Sequence, residues 1–133
     1  MVLLDTHVLI WMDSAPATLG ARTRAAIDRA ATVDALAVSA ISYWEIAILI
    51  DKGRLTFAAP LATWRERMLA DGIAELALRG DIGIGAVAID RLASDPADRM
   101  IVATALIYGA SLITADANLL AWPGPLSCQD ART

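Results

Sequence analysis

Two short apolar runs, each followed closely by an aspartate, constrain this chain more than anything else in it. Val2-Leu3-Leu4 runs into Asp5, and Ser111-Leu112-Ile113-Thr114 comes just before Asp116. Runs this short and continuously apolar read as strands buried on both faces, which is the condition of a parallel sheet covered by helices. Leu36–Val38 and Ile73–Leu78 give two further strand candidates, and Leu126–Cys128 a short fifth. Helix-length segments separate them. His7–Met12 forms a short helical segment and Ala21–Ala31 a longer one. Ile41–Lys52 is stopped by Gly53, Leu61–Ala70 ends at Gly72, and Pro96–Tyr108 carries Ile101, Val102, Ala105 and Leu106 on one stripe. Residues 80–92 give a mixed signal: Gly80, Gly83 and Gly85 oppose a helix, while Ala86–Leu92 favours one. Strands alternating with helices predict a three-layer α/β domain with a central parallel sheet of four to five strands flanked by helices.

The 133 residues fit one domain, 1–133, with no evident linker. A 57% hydrophobic content leaves more aliphatic surface than so small a core hides, so a homodimer is expected. Trp11, Trp44 and Trp64 are assigned to the core or to that interface, with the core preferred. No apolar run reaches membrane-spanning length. Residues 1–12 carry Asp5 and His7 and no basic cluster, which disfavours a secretory signal. Cys128 is the single cysteine, which excludes an internal disulfide and disfavours a cysteine-held zinc; a cytoplasmic location fits.

Four acids would converge if the sheet forms: Asp5 and Asp116 beyond strand ends, Glu45 and Asp98 in the first turns of helices starting from the same edge. Taken singly, each has a structural explanation. Asp95 can cap the helix that has Pro96 at its first position, placing Asp98 where the helix dipole favours an acid. Ser42 and Glu45 match a capping box, and Asp5 and Asp116 can each cap a following helix. Jointly they make an acidic pocket. Glu45 is the only charge on its helix before Asp51, and a buried carboxylate needs a counter-charge. Clustered carboxylates either share protons or hold a hard cation such as Mg²⁺ or Mn²⁺. The second option leads to phosphodiester chemistry, in which carboxylate-held cations stabilise charge on the attacking and leaving oxygens. A lone His7 and the absence of a nucleophile constellation agree. Thr6, Ser39 and Thr114 are placed to orient ligands or to act as caps, and Arg99 to pair with a site acid or touch substrate. Arg22, Arg24, Arg29, Lys52 and Arg54 read as solvated surface charge. Net charge is −4, and without the four acids the remainder is balanced, so any nucleic-acid contact must be local.

The segments L-L-D-T-H-V-L-I-W at 3–11, S-A-I-S-Y-W-E-I-A-I at 39–48 with Gly53-Arg54-Leu55, D-P-A-D-R-M-I-V-A-T-A at 95–105 and L-I-T-A-D at 112–116 closely resemble the PIN-domain family, and within it the VapC-type toxin ribonucleases. The resemblance implies a PIN-like sheet and a Mg²⁺ or Mn²⁺ site made by Asp5, Glu45, Asp98 and Asp116. It also implies endonucleolytic cleavage of RNA, a homodimer, and inhibition by a cognate VapB-like antitoxin that covers the site. The chain departs from the family pattern at Ala97, where many members carry an aromatic residue, at Leu49, where many carry lysine, and before Asp95, where many carry histidine or another polar residue. Asp95 is read as a cap without metal contact. A response-regulator receiver needs a lysine near the end of a late strand, whereas the one lysine is Lys52. A D-x-D-x-T phosphatase fails at Thr6-His7. A PIN-like RNA-binding or scaffold protein without a toxin role stands as the alternative.

Overall fold

A computed structural model describes residues 1–133. Five strands, β1 (Val2–Leu4), β2 (Leu36–Ser39), β3 (Ala74–Leu76), β4 (Ser111–Thr114) and β5 (Cys128–Asp130), form one sheet in the order β3-β2-β1-β4-β5. Every pairing is parallel. Seven helices surround it: α1 (Thr6–Ser14), α2 (Ala21–Thr32), α3 (Ala40–Asp51), α4 (Leu61–Ala70), α5 (Gly80–Ala88), α6 (Pro96–Tyr108) and α7 (Ala117–Ala121). The expected three-layer α/β architecture is the observed one. The chain winds outward from β1 through β2 to β3, then crosses to β4 on the other side of β1. That reversal opens a crevice between the carboxyl ends of β1 and β4, the usual ligand position in such sheets.

Strand alternation sends side chains to two cores. Leu4, Val38 and Ile113 pack with Val8, Leu9, Ile46, Met68 and Trp64. Leu3, Ala37 and Leu112 face the opposite way, onto Ile101, Val102 and Ala105 of α6. Both faces are therefore dry, which explains why β1 and β4 read as unbroken apolar runs.

Local caps set where the helices begin. The Asp5 carboxylate accepts the Thr6 backbone N–H at the start of α1, Ser39 Oγ accepts that of Ile41 at the start of α3, and Asp95 accepts that of Asp98 in α6, with Pro96 in the first position. Gly109 ends α6 in the left-handed conformation, φ 62°, which a side chain would disfavour.

Several expectations need correction. Residues 80–88 form a helix despite their glycines, because burying Ile82 and Ala86 against Ala103 outweighs weak propensity. The helix expected over Ala86–Leu92 instead stops at Ala88. The third strand is shorter than expected, and the fifth lies two residues later, at Cys128–Asp130. Asp116 caps a short following helix, α7, as its structural reading allows. Trp64 is buried and stacks on Phe57 at 4.8 Å between ring centroids. Trp11 packs at the core's edge, whereas Trp44, assigned by preference to the core, is 57% exposed.

Candidate metal centre

The crevice at the β1/β4 reversal holds all four anticipated acids. A cleft of about 340 Å³ is lined by Asp5, Glu45, Asp98 and Asp116, together with Thr6, His7, Trp11, Asp95, Ala115 and Arg132. A larger hollow, about 710 Å³, lies elsewhere, against Val2, Ala35 and Ser111 and helix α2, with Asp130 as its one acidic side chain. It has no cluster of ligating groups, so chemistry directs attention to the smaller cleft.

Asp5 is the innermost acid, and both its oxygens are engaged. Oδ1 accepts the Thr6 N–H at 2.8 Å, and Oδ2 accepts the Thr114 hydroxyl at 2.6 Å. Thr114 Oγ1 in turn accepts the Asp116 backbone N–H at 3.0 Å. One threonine thus ties together both strand-end acids. Burial raises the Asp5 carboxyl above its ordinary range, against the opposing pull of these hydrogen bonds. Asp116 Oδ1 caps α7 by accepting from Asn118 N at 2.7 Å and Leu119 N at 3.2 Å, which leaves Oδ2 for other partners.

Glu45 lies in the second turn of α3 instead of the expected first, because the helix already starts at Ala40, and Thr6 holds it. The Thr6 hydroxyl lies 2.5 Å from Glu45 Oε1 and 2.8 Å from Ser42 Oγ. Thr6 has one hydroxyl hydrogen, so it donates to the carboxylate while Ser42 donates to it. The capping box expected of Ser42 and Glu45 does not form, because Ser39 is the cap and Ser42 sits one turn into the helix. Ser39 takes the cap role and does not line the cleft. Burial, more than the neighbouring Asp5 and Asp95, raises the Glu45 carboxyl, with Thr6 pulling the other way.

Asp98 is the least supported acid. Its carboxylate accepts no hydrogen bond, and it is only partly shielded from solvent. Burial together with the charges of Asp5, Asp95, Glu45 and Asp116 pushes it up to about 7. Carboxylate oxygens of Glu45, Asp95 and Asp98 lie within 4.8 Å of one another. Asp95 therefore does more than its expected capping. Its Oδ1 accepts Asp98 N at 2.9 Å while its charge adds to the cluster. Spacing holds the signal for this second role, since residues three apart share a helix face.

Arg99 corrects a second expectation: it pairs with no acid. Its guanidinium donates to four carbonyls, Ala86 at 3.0 Å, Leu92 at 2.8 Å, Val87 at 3.3 Å and Ile89 at 2.6 Å. It satisfies the exposed carbonyl end of α5, where a cation is favoured by the helix dipole. The cation in the cleft is Arg132, for which no sequence motif gave warning. Arg132 Nη1 donates to the Ala115 carbonyl at 3.0 Å, and its guanidinium lies 5.9 Å from the Trp11 ring centroid. The segment carrying it is tied to the start of α2 by Gly20 N to Ala131 O and Arg22 N to Thr133 O, both 2.9 Å. Gly20 permits that approach, since a Cβ there would meet Thr133 backbone at 2.1 Å.

The donor set fits a hard divalent cation. The available donors are carboxylate oxygens: those of Glu45, Asp95 and Asp98 lie within ligating reach of one another, Asp5 and Asp116 line the same cleft outside that group of three, none of the five is ion-paired, and Asp98 has no partner of its own. Thiol chemistry has no support here, since the half-buried Cys128 thiol is pushed up to about 11, mainly by burial.

A doubly wound parallel sheet with an acid-lined crevice at its reversal point defines the class: an α/β domain that gathers carboxylates at the carboxyl edge of its sheet. Residues 2–123 match the PIN domain model, and the chain belongs to the PIN domain family. Ribonuclease VapC22 from Mycobacterium tuberculosis (strain ATCC 25618 / H37Rv) is 38% identical over 119 residues, covering 89% of this chain and 88% of that protein. Two solved structures share the fold. VapBC2 from Rickettsia felis bound to a DNA fragment from its promoter superposes with a TM-score of 0.72 at 13% identity, covering 97% of this chain and 98% of that one. A toxin–antitoxin complex from Klebsiella pneumoniae gives 0.62 at 21% identity, covering 98% of each. Arg132 lies outside the stretch that matches the family.

Proposed function

We propose that this chain, acting as one unit over residues 1–133, is a Mg²⁺- or Mn²⁺-dependent endoribonuclease and the toxin of a toxin–antitoxin pair. The observation that carries the reading is the cleft itself, where five carboxylates meet at the reversal point of a PIN-family sheet. Similarity to Ribonuclease VapC22 over most of both chains supports RNA as the substrate.

Asp5, Glu45, Asp98 and Asp116 would hold the cation, with Asp95 beside them. When bound, the cation supplies Lewis acidity at the scissile phosphate and lowers the pKa of water. The chain's own residues do the positioning. Thr114 fixes Asp5 relative to Asp116, and Thr6 holds Glu45 in the orientation that faces Asp95 and Asp98. Arg132 contributes the one arginine of the cleft, placed to donate to a phosphate oxygen. His7, exposed at the rim, is a second polar contact for the substrate.

Two partners accompany this reading. The outer face of α5 carries Ile84 at 76% and Val87 at 82% exposure, beside the partly exposed Ile107 of α6. Exposed aliphatic residues grouped this way support a homodimer that covers α5. Kinship of fold with toxin–antitoxin complexes supports a VapB-like antitoxin as the inhibitor. No helix is long and apolar enough to cross a membrane, and an RNA substrate suits a cytoplasmic site of action.

The test is cleavage of single-stranded RNA in Mg²⁺ or Mn²⁺ by the wild type and by Asp5→Asn and Asp98→Asn. Cleavage by the wild type and its loss in both folded variants is expected. Wild-type rates in both variants would remove the assignment.

A further inference from the structure

Beside the acid cleft lies a second groove of about 280 Å³ with a different character. Its walls are Trp44, Ile48, Leu49 and Pro96, and no lysine or arginine lines it. Thr6, His7, Glu45 and Asp95 line both hollows, so the groove is continuous with the candidate metal centre.

Trp44 is the unusual wall. The indole N–H groups of Trp64 and Trp122 each have an acceptor, Asp13 and the Asp90 carbonyl, and both side chains pack into the protein. Those of Trp11 and Trp44 have none, but Trp11 packs against the core, whereas Trp44 is 57% exposed although the next residue in α3 is Glu45 of the cluster. An exposed indole on an apolar wall is costly to solvate and serves no core.

We propose that this groove receives the nucleobase next to the scissile phosphate, stacked on the Trp44 indole. The inference rests on the nuclease reading above and adds a base-binding subsite to it. Charge selects the occupant. Glu45 and Asp95 on the shared rim repel a phosphate, and no cation in the groove offsets them, whereas a base is planar, uncharged and tethered one sugar away from the phosphate at the metal centre. Stacking on an aromatic ring is how proteins bind single strands without reading hydrogen-bond edges. The rim adds one group a base edge can use, the exposed His7 ring.

The experiment maps the cut in a single-stranded RNA oligonucleotide, then compares matched oligonucleotides lacking the base on one side of the cut or the other. For the wild type, loss of one of these bases should raise KM by about tenfold to a hundredfold, the range that stacking of one base supports. Trp44→Ala should raise KM on the intact oligonucleotide by a similar factor, with kcat little changed, and should no longer distinguish the intact from the base-free substrate. Trp44→Phe should restore most of the discrimination. An unchanged KM for Trp44→Ala on the intact oligonucleotide overturns the inference and leaves the groove to a protein segment. Equal KM increases on intact and base-free substrates also overturn it, since they show Trp44 acting on something other than that base. If the wild type cuts no RNA in either metal, the nuclease reading itself fails and the subsite falls with it.

Discussion

Asp13 and Asp98 are the same residue in opposite company. Asp13, on the far side of α1, accepts both Arg67 Nη2 at 2.7 Å and the Trp64 indole N–H at 2.8 Å. Nearby, Arg65 grips Glu75 through two bonds of 2.6 and 2.9 Å, chiefly by which the Glu75 carboxyl is held below its ordinary value. Asp98 has four acidic neighbours, no paired cation, and a carboxyl pushed up to about 7. One region spends its acids on cohesion; the other collects them where folding gains nothing. Carboxylates that oppose the fold and still converge are a functional signature, whereas ion-paired ones are ordinary surface structure.

The contrast is broken most forcefully by neutralising the cleft. Asp5→Asn and Asp98→Asn should each lower RNA cleavage on the order of a hundredfold to a thousandfold or more, as expected for removing a group that stabilises transition-state charge. Glu45→Gln should abolish cleavage while leaving the metal-free protein as stable or more so, because a half-buried charge is removed. Asp116→Asn, already committed through one oxygen to α7, should lose least. Cleavage rates and melting curves in EDTA check all four.

A smaller effect should follow from Thr114→Val, which keeps shape but deletes the hydroxyl between Asp5 and Asp116. Loss of such a supporting contact costs roughly tenfold to a hundredfold in metal affinity. Mn²⁺ titration by calorimetry reads this directly, and wild-type affinity would show that the threonine only fills space.

The pH response sharpens the same comparison. The folded Asp98 pKa of about 7 lies above the ordinary 3.8, so between these values the native state holds more protons than the unfolded chain. Metal-free stability should therefore fall as pH rises from about 4 to about 7, and saturating Mn²⁺ should flatten or reverse the fall. A melting temperature in EDTA that is level across this window would contradict the electrostatic account.

The smallest effect belongs to the paired region. Arg65→Ala should leave cleavage intact and the melting temperature nearly unchanged, since the pair it breaks is exposed. A large loss of activity there would erase the distinction between the two regions.

What could be read from the sequence follows the range of the forces involved. Asp5, Asp98 and Asp116 were legible because strand ends and helix caps are local, and the sheet's topology then gathers them. Glu45 was legible as a charge without company on an apolar helix. Arg99 was misread because its partners are carbonyls at the end of α5, a helix whose glycines disguised it until burial against α6 is considered. Arg132 was invisible, since only the docking of residues 131–133 at Gly20 brings it into the cleft. Trp44 was misplaced because composition counts apolar residues without telling which face of α3 each occupies.

The grip of Arg99 on α5 has a mechanical consequence. Arg99 follows Asp98 directly, so the turn that aims the one acid without a hydrogen-bond partner of its own is fastened to the helix bearing Ile84 and Val87. Whatever steadies that helix also steadies the aim of Asp98. If a second subunit seats on α5, subunit association becomes a calibration of the cleft as well as a cover for oily surface. Dilution that parts the subunits should then blunt catalysis while each chain is still folded.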